Sequence, residues 1–286
     1  MPASTAIART PQRRAILHRT HGSTHGAITR LVSPGDLGAW LKPFVFLDRF
    51  SFQTKAGQPG FGMHPHSGIA TLSYLSEGEF FYEDSTGEKG RLLAGGVEWM
   101  QAGNGVWHTG SIVPEVSHVR GFQLWVALPA ADENAPARSQ YLTPSQVPQE
   151  GPARVLLGRY GAAQSLIAAP APMNYLAVHL KDGERWTYTP PAGHSVGWLA
   201  VDIGQLDAGD AGGPLGEGEL AIFEEREEVI DLVARGDTTF VLGSAYKHPH
   251  ELVLGNYSVH TSAAALARGE AEILHIGRRL REEGRL

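Results

Sequence analysis

The sequence predicts an all-β protein of barrels or sandwiches that ends in a short helix. Glycine (35) and proline (18) are plentiful, and the apolar stretches are short and separated by turn residues. This pattern is typical of strands and not of helical bundles. The pattern becomes helical beyond Thr261, over 262–268 and 270–281, where alanine, glutamate and arginine accumulate. Ser258 or Thr261 is the predicted cap of this helix.

Composition excludes several classes of site. A net charge of −6 and a pI near 6.1 give no basic surface for nucleic acid. The absence of cysteine removes disulfides, thiolate ligands, iron–sulfur clusters and a cysteine nucleophile, and it favours a cytoplasmic location. No stretch approaches the roughly 20 apolar residues that a membrane span needs. We therefore expect no nucleic-acid or membrane partner, while a small aromatic molecule or a protein partner stays open.

Four of the first 20 residues are arginines, no acidic residue precedes Asp36, and the N-terminus has no apolar segment of a secretory signal. A targeting arm would have this composition, and so would a flexible tail that leads into the first strand. We expect the tail. The arginines are Arg9, Arg13, Arg14 and Arg19.

Short strands are predicted in both halves of the chain. A polar, proline-containing linker at 130–152 separates the halves, and a loop is predicted at 206–218 within the second half. Residues 84–87 and 102–105 are predicted hairpin turns. The predicted strands are 27–32, 44–50, 70–75, 80–82, 90–93, 97–101, 106–109, 121–127, 154–157, 174–180, 185–189, 195–202, 219–224, 231–234 and 238–243.

Three histidines form the candidate metal site. His64 and His66 lie two residues apart beside the strand-like run at 70–75, so their side chains are expected on one face. His108 follows the glycine-containing turn at 102–105 on a neighbouring strand. Neutral imidazole is the commonest nitrogen ligand of transition metals. The alternative is that these are ordinary hydrogen-bonded histidines, since the chain contains 13.

Glu98 is the candidate carboxylate of this site. It precedes His108 on the strand that leads into the 102–105 turn. If that turn closes a hairpin, Glu98 faces the site as a fourth ligand or as a base. A register one residue different would point it outward.

The remaining histidines are expected to be structural. His248, Pro249 and His250 repeat the tripeptide of the candidate site, but they follow the last predicted strand and are expected in a turn. No second metal site is predicted from the others. These are His179, His194, His260 and His275.

The motifs around the three histidines resemble those of the pirin family. They are H-P-H-x-G from His64, T-x-x-Y-L-x-E-G from Thr71, D-S-x-G from Asp84, A-G-G-x-x-W-M-x-A-G-x-G-x-x-H ending at His108, and G-x-Q-L-W from Gly121. The resemblance implies two tandem cupin barrels of the jelly-roll type, with a metal only in the first. It implies an N-terminal domain of residues 1–140 and a C-terminal domain of 141–286, whose last segment packs back on the first barrel.

The sequence departs from the family at the fourth metal ligand. The resemblance implies three histidines and a glutamate two residues after the third, but that position holds Gly110. A further glutamate of relatives is replaced by Ala70. What carries over is a divalent metal on His64, His66 and His108, with Fe(II) first and Mn, Ni, Cu or Zn as alternatives.

The resemblance also implies functions of different kinds. Some pirins cleave quercetin-type flavonols with O2, so a dioxygenase of a flavonol-like or other enolisable substrate is one expectation. A non-enzymatic regulatory protein, or a degenerate cupin with a weak or empty site, are the alternatives. Aromatic and apolar residues near the histidines are expected to line a pocket or to fill the core: Phe61, Met63, Tyr74, Trp99, Met100, Trp107, Phe122 and Trp125.

Overall fold

The structure is a computed structural model, and it describes residues 13–54, 60–113 and 115–286. The predicted N-terminal tail lies largely outside these residues. Within the described part of the chain, strands predominate and there are two helices. None of its helices has the length and apolar character that crossing a bilayer requires.

In the described residues, strands follow one another along the chain with one short helix in the first half and one long helix at the end. In the first half they are β1 (Ile16–Thr20), β2 (Ser23–His25), β3 (Ile28–Val32), α1 (Leu37–Leu41), β4 (Phe44–Gln53), β5 (Phe61–His66), β6 (Ile69–Glu77), β7 (Glu79–Asp84), β8 (Lys89–Leu93), β9 (Val97–Gln101), β10 (Val106–Ile112), β11 (His118–Ala127) and β12 (Arg138–Leu142). In the second half they are β13 (Gln149–Glu150), β14 (Ala153–Leu157), β15 (Arg159–Tyr160), β16 (Ala163–Gln164), β17 (Met173–Leu180), β18 (Arg185–Tyr188), β19 (Val196–Asp207), β20 (Leu220–Phe223), β21 (Ile230–Ala245), β22 (Val253–Gly255), β23 (Ser258–His260) and α2 (Ala263–Glu282).

These strands form two barrels. The first combines a seven-stranded sheet, in the order β12-β9-β6-β11-β4-β3-β2, with a four-stranded sheet, β5-β10-β7-β8. The second is an eight-stranded sheet, β1-β20-β19-β21-β17-β14-β13, with β18 beside β21. The two barrels share one apolar core, in which Phe44 of β4 meets Trp198 of β19 edge to face at 5.5 Å.

The two ends of the chain cross between the barrels. Strand β1 pairs with β20 of the second barrel. Helix α2 packs against β10 of the first barrel, where the indole Nε1 of Trp107 donates a hydrogen bond to the carbonyl of Ile273 at 2.9 Å. The division at residue 140 stays a prediction. The sheets of the first barrel come from the continuous run β2–β12, whereas the second barrel also takes in β1 from the beginning of the chain.

Several local expectations were wrong in detail. The segment predicted as a linker contains β12, a polar strand at the edge of its sheet, where only one side of the strand is paired. The two strands expected at 231–234 and 238–243 are one strand, β21, because the polar residues between them continue the ladder. Helix α2 is continuous through Gly269, and its N-cap is Ser262, whose hydroxyl accepts from the amide of Ala265.

Candidate metal centre

The three histidines occupy facing positions on two paired strands of the four-stranded sheet. His64 and His66 lie on β5, and His108 on β10 is the direct cross-strand partner of His64. The first two histidines therefore do not begin the strand at 70–75, as the sequence indicated. Gly68 separates β5 from β6 with a φ of +73°, a conformation that favours glycine. This turn sends the chain from one sheet of the barrel to the other.

The ligand atoms of these histidines converge. One nitrogen from each ring lies within 4.8 Å of the others. The Nε2 atoms of His64 and His108 are 3.0 Å apart, which is about the separation of two adjacent ligands at ~2.1 Å from one metal ion. Nε2 of His66 is buried and has no hydrogen-bond partner in the described structure. A buried orphan nitrogen is costly unless a ligand satisfies it, so the residues fit a divalent metal.

The other ring nitrogens face acceptors. Nδ1 of His64 donates to the carbonyl of Gly62 at 2.7 Å, and Nδ1 of His66 donates to the carbonyl of Tyr257 at 3.2 Å. Nδ1 of His108 lies 3.6 Å from a carboxylate oxygen of Glu98. Carbonyl oxygens accept only, so in His64 and His66 the proton is held at Nδ1 and the lone pair at Nε2. These two rings are set in the tautomer that ligates a metal through Nε2.

Burial keeps two of these rings neutral. It lowers the pKa of His64 to about 4, and the neighbouring His108 lowers it further in the same direction. Burial likewise holds the pKa of His66 well below its usual value. An imidazole must be neutral to donate its lone pair to a metal. At neutral pH these two side chains are therefore ready to ligate.

Glu98 reaches the site by a route that the sequence did not indicate. Residues 102–105 do not close a hairpin, because β9 pairs with β6 and β12, whereas β10 pairs with β5 and β7. Glu98 instead approaches His108 across the interior of the barrel. Its carboxylate lies on the Nδ1 side of that ring and is absent from the group of converging ligand atoms. This position suits an orienting group better than a fourth ligand.

A cavity of about 500 Å³ opens beside the histidines. Of the residues expected to line a pocket, Phe61 and Trp125 do so, whereas Trp107 lies on the outer face of β10 beneath α2, as alternation along the strand requires. The wall is more aromatic than the sequence indicated. Its further aromatic residues are Phe46, Phe50, Phe80, Phe81, Tyr82 and Tyr257.

Polar side chains also line this cavity. Arg30 forms a two-pronged ion pair with Asp48, and its guanidinium carbon lies 3.9 Å from the centre of the Phe46 ring. Ser73 and Gln123 also line the wall. Sequence reasoning missed all of these, because nothing local indicates that separated strands of one sheet face the same cavity.

Gly110 and Ala70, the two positions at which the resemblance implies a glutamate, have different surroundings. Gly110 lines the cavity two residues beyond His108, and a Cβ atom placed there would meet only Phe61, at 3.6 Å. A Cβ atom at Gly110 would therefore fit without a close contact. Ala70 is fully buried in the core shared by the two barrels and faces away from the cavity.

Comparisons with known proteins agree with this architecture. Residues 27–126 match the sequence model of the family described as Pirin. A pirin-like protein of Caulobacter vibrioides is 31% identical over 215 residues, which cover 70% of this chain and 73% of that protein. The chain belongs to the pirin family. The two tandem cupin barrels and the C-terminal helix expected of such a protein are thereby confirmed.

Two further relatives of this pirin carry the name of an enzyme. A Pseudomonas aeruginosa protein provisionally named quercetin 2,3-dioxygenase is 37% identical over 193 residues, covering 63% of this chain and 68% of that protein. The crystal structure of a quercetin 2,3-dioxygenase from Acinetobacter baumannii superposes with a TM-score of 0.83 at 26% identity, covering 94% of this chain and 98% of that one. A histidine cluster able to hold a divalent metal is thus set in a pirin fold.

Proposed function

We propose that this pirin is a metal-dependent dioxygenase of flat phenolic or other enolisable molecules, with flavonols as the model substrate class. The observation that carries the proposal is the convergence of one ring nitrogen from each of three histidines beside a cavity of about 500 Å³ with aromatic walls. Pockets of this size and character are typical of small-molecule sites. The enzyme names of the relatives support the same reaction class.

His64, His66 and His108 would hold the metal through their Nε2 atoms. When bound, a divalent transition metal supplies Lewis acidity and redox reactivity at the coordination positions that three imidazoles leave open. We propose Fe(II) as the resident metal, on the family resemblance. Mn, Ni, Cu and Zn are the alternatives, since neutral imidazoles bind all of them.

The remaining residues of the cavity would place the substrate. Phe46 and Trp125 stack with parallel rings 4.0 Å apart, and Trp125 also meets the ring of His66 at 4.8 Å. These rings form a wall next to the ligands against which a flat molecule can pack. We propose that the substrate lies with its enolisable hydroxyl toward the histidines.

Glu98 has a proposed role beside the ligands. Its carboxylate is 3.6 Å from Nδ1 of His108, where it would fix the ring orientation and increase the basicity of the ligand. It also lines the cavity, and unlike Asp48 it is not paired with a guanidinium there. Its service as the base for the substrate hydroxyl stays a prediction.

Gly110 favours a second candidate function. Without the family carboxylate the centre has less negative charge and holds a divalent ion less tightly, so a weak site in a protein-binding, regulatory pirin is the alternative. The two candidates differ in whether the metal-loaded protein turns over substrate.

Oxygen consumption tests the proposal. The protein is loaded anaerobically with Fe(II) and assayed with a flavonol and with a flavone that lacks the enolisable hydroxyl. We expect O2 uptake with the flavonol only, and none in the His64→Ala variant. A metal-loaded protein that consumes no O2 with any enolisable phenol would contradict the dioxygenase and favour the regulatory function.

A further inference from the structure

One wall of the cavity beside the three histidines is formed by a segment near the C-terminal end of the chain. Residues 254–258, at the turn between β22 and β23, line the cavity. Within this turn Tyr257 has a φ of +63°, and it is the one non-glycine residue of the described structure with a positive φ. Its carbonyl is the acceptor for Nδ1 of His66. The orientation of His66 thus depends on a backbone carbonyl 191 residues later in the sequence.

A buried polar network fastens this hairpin to the metal-binding strand. The hydroxyl of Ser67, next to His66, is hydrogen-bonded to the hydroxyl of Ser258 at 2.9 Å and to Nε2 of His260 at 2.9 Å. The amide of Val259 also donates to the carbonyl of Ser67, at 3.3 Å. The three side chains are at most 2% exposed.

The network ends on a carboxylate from the first barrel. Nδ1 of His260 lies 3.3 Å from an oxygen of Glu133, which is itself 3% exposed. The two oxygens of Glu133 accept from the amide of Thr261 at 2.6 Å and from its hydroxyl at 2.7 Å. Buried polar groups that are connected in this way specify one arrangement of the elements that carry them.

Helix α2 closes the network from outside. At Gly269, an added Cβ atom would lie 2.5 Å from the hydroxyl oxygen of Ser67 and 2.7 Å from Nε2 of His260. The helix backbone therefore rests directly on both side chains. This contact leaves Ser67 and His260 little freedom to move.

The order serine, histidine, glutamate invites comparison with a nucleophilic triad. Ser67 is completely buried, however, and it does not line the cavity. A nucleophile must reach its substrate, so the position of Ser67 does not support that chemistry. The network points to the adjacent metal ligand instead.

We propose that His260, together with Ser67 and Glu133, is a positioning residue of the metal centre. The network holds the hairpin so that the carbonyl of Tyr257 accepts the Nδ1 proton of His66, and this keeps Nε2 of His66 free for the metal. The inference rests on the proposed metal centre. It adds that the C-terminal segment sets the affinity and geometry of that centre.

Cobalt(II) binding to the full-length, metal-stripped chain tests the inference. The dissociation constant is measured by competition with a chelator, the site geometry by the Co(II) absorption spectrum, and the stability of each metal-free variant by urea unfolding. In His260→Ala we expect the dissociation constant to rise about 10- to 100-fold, as it does when outer partners of ligands are lost, with an altered spectrum.

Two further variants separate positioning from general stability. His260→Gln can return a polar atom near the position of Nε2, and we expect it to recover part of the affinity. His275→Ala removes an exposed histidine of α2 and should match the wild type.

If His260→Ala does not fold, Ser67→Ala replaces it with the same expectation. Unchanged Co(II) affinity and spectrum in a folded His260→Ala or Ser67→Ala variant would overturn the inference while the metal centre stands. A wild-type chain that binds no Co(II) would overturn both.

Discussion

Gly110 occupies the position at which the family resemblance implies a glutamate ligand. It occupies the cavity wall two residues beyond His108, where an added Cβ atom would meet only Phe61. We expect Gly110→Glu to bind a divalent metal at least about tenfold more tightly, or about 1.4 kcal/mol, because it adds a carboxylate near three neutral ligands. Chelator competition measures the change.

The matched control is Gly110→Ala, which adds a Cβ atom without a carboxylate. It should leave metal affinity close to that of the wild type. If Gly110→Glu also leaves it unchanged, the carboxylate does not reach the ion, and the interpretation of Gly110 as the missing ligand position is contradicted.

A substitution of Glu98 separates its two proposed roles, which are to orient His108 and to act as the base for the substrate hydroxyl. Glu98→Gln keeps a carbonyl oxygen that can accept from His108 but removes the charge and the capacity to take a proton. We expect metal binding to persist within about tenfold and flavonol-dependent O2 uptake to fall by about 100-fold or more, the range of general-base catalysis. Elemental analysis and an oxygen electrode give the two values. Full activity in Glu98→Gln would exclude the base.

At this scale the sequence indicated the three candidate histidines but not the groups that orient them. The spacing of His64 and His66 predicted their common face, and a downstream glycine-rich turn pointed to His108. The acceptors for their Nδ1 atoms could not be predicted in the same way. Two are backbone carbonyls, of Gly62 and Tyr257, and a carbonyl has no sequence signature.

At the scale of elements, the positions of the strands were predicted more accurately than the pairing between them. Alternation and turn residues placed β9 at 97–101 and the turn at 84–87 between β7 and β8. They did not show that β9 and β10 belong to different sheets, because a tight turn and a crossing between sheets have similar composition. The C-terminal helix was predicted, but its cap was placed one to four residues early.

Helix α2 offers a test of local stability. Ser262 accepts from the amide of Ala265 at the first turn. We expect Ser262→Ala to lower the free energy of unfolding by about 1 kcal/mol, the usual value of an N-cap serine. Ser262→Asp keeps an acceptor and should remain near the wild type. Equal urea midpoints for all three proteins would contradict the assigned cap.

For the whole molecule, the candidate metal centre combines distant parts of the chain. The three histidines lie on β5 and β10, and a wall of their cavity comes from the turn between β22 and β23. Strand β1 in turn completes the sheet of the second barrel. Contacts between segments so far apart in the sequence cannot be predicted from local sequence patterns, which describe neighbours within a few residues.

Buried histidines predict how global stability responds to acid. Burial lowers the pKa of His194 and of His248 to about 4, against 6.5 for an ordinary histidine. Between pH 6.5 and 4 the unfolded chain therefore binds more protons than the folded one, so stability falls as the pH falls through this window. Urea unfolding at several pH values measures the slope.

His194→Asn tests how much of this pH dependence of stability comes from one histidine. Asparagine can keep a polar atom near Ser244, the hydrogen-bond partner of Nδ1 at 2.8 Å, but it does not titrate. We expect the slope between pH 6.5 and 4 to be smaller by up to about 1.4 kcal/mol per pH unit, the value for one proton. An unchanged slope would show that His194 is not buried in its neutral form.

Metal content tests the central claim most directly. The protein is purified without a histidine tag or chelator, supplied anaerobically with Fe(II), and compared with His64→Ala by elemental analysis. We expect about one equivalent of a divalent transition metal in the wild type and little in the variant. No bound metal in the wild type, or equal metal in both proteins, would contradict a centre built on His64, His66 and His108.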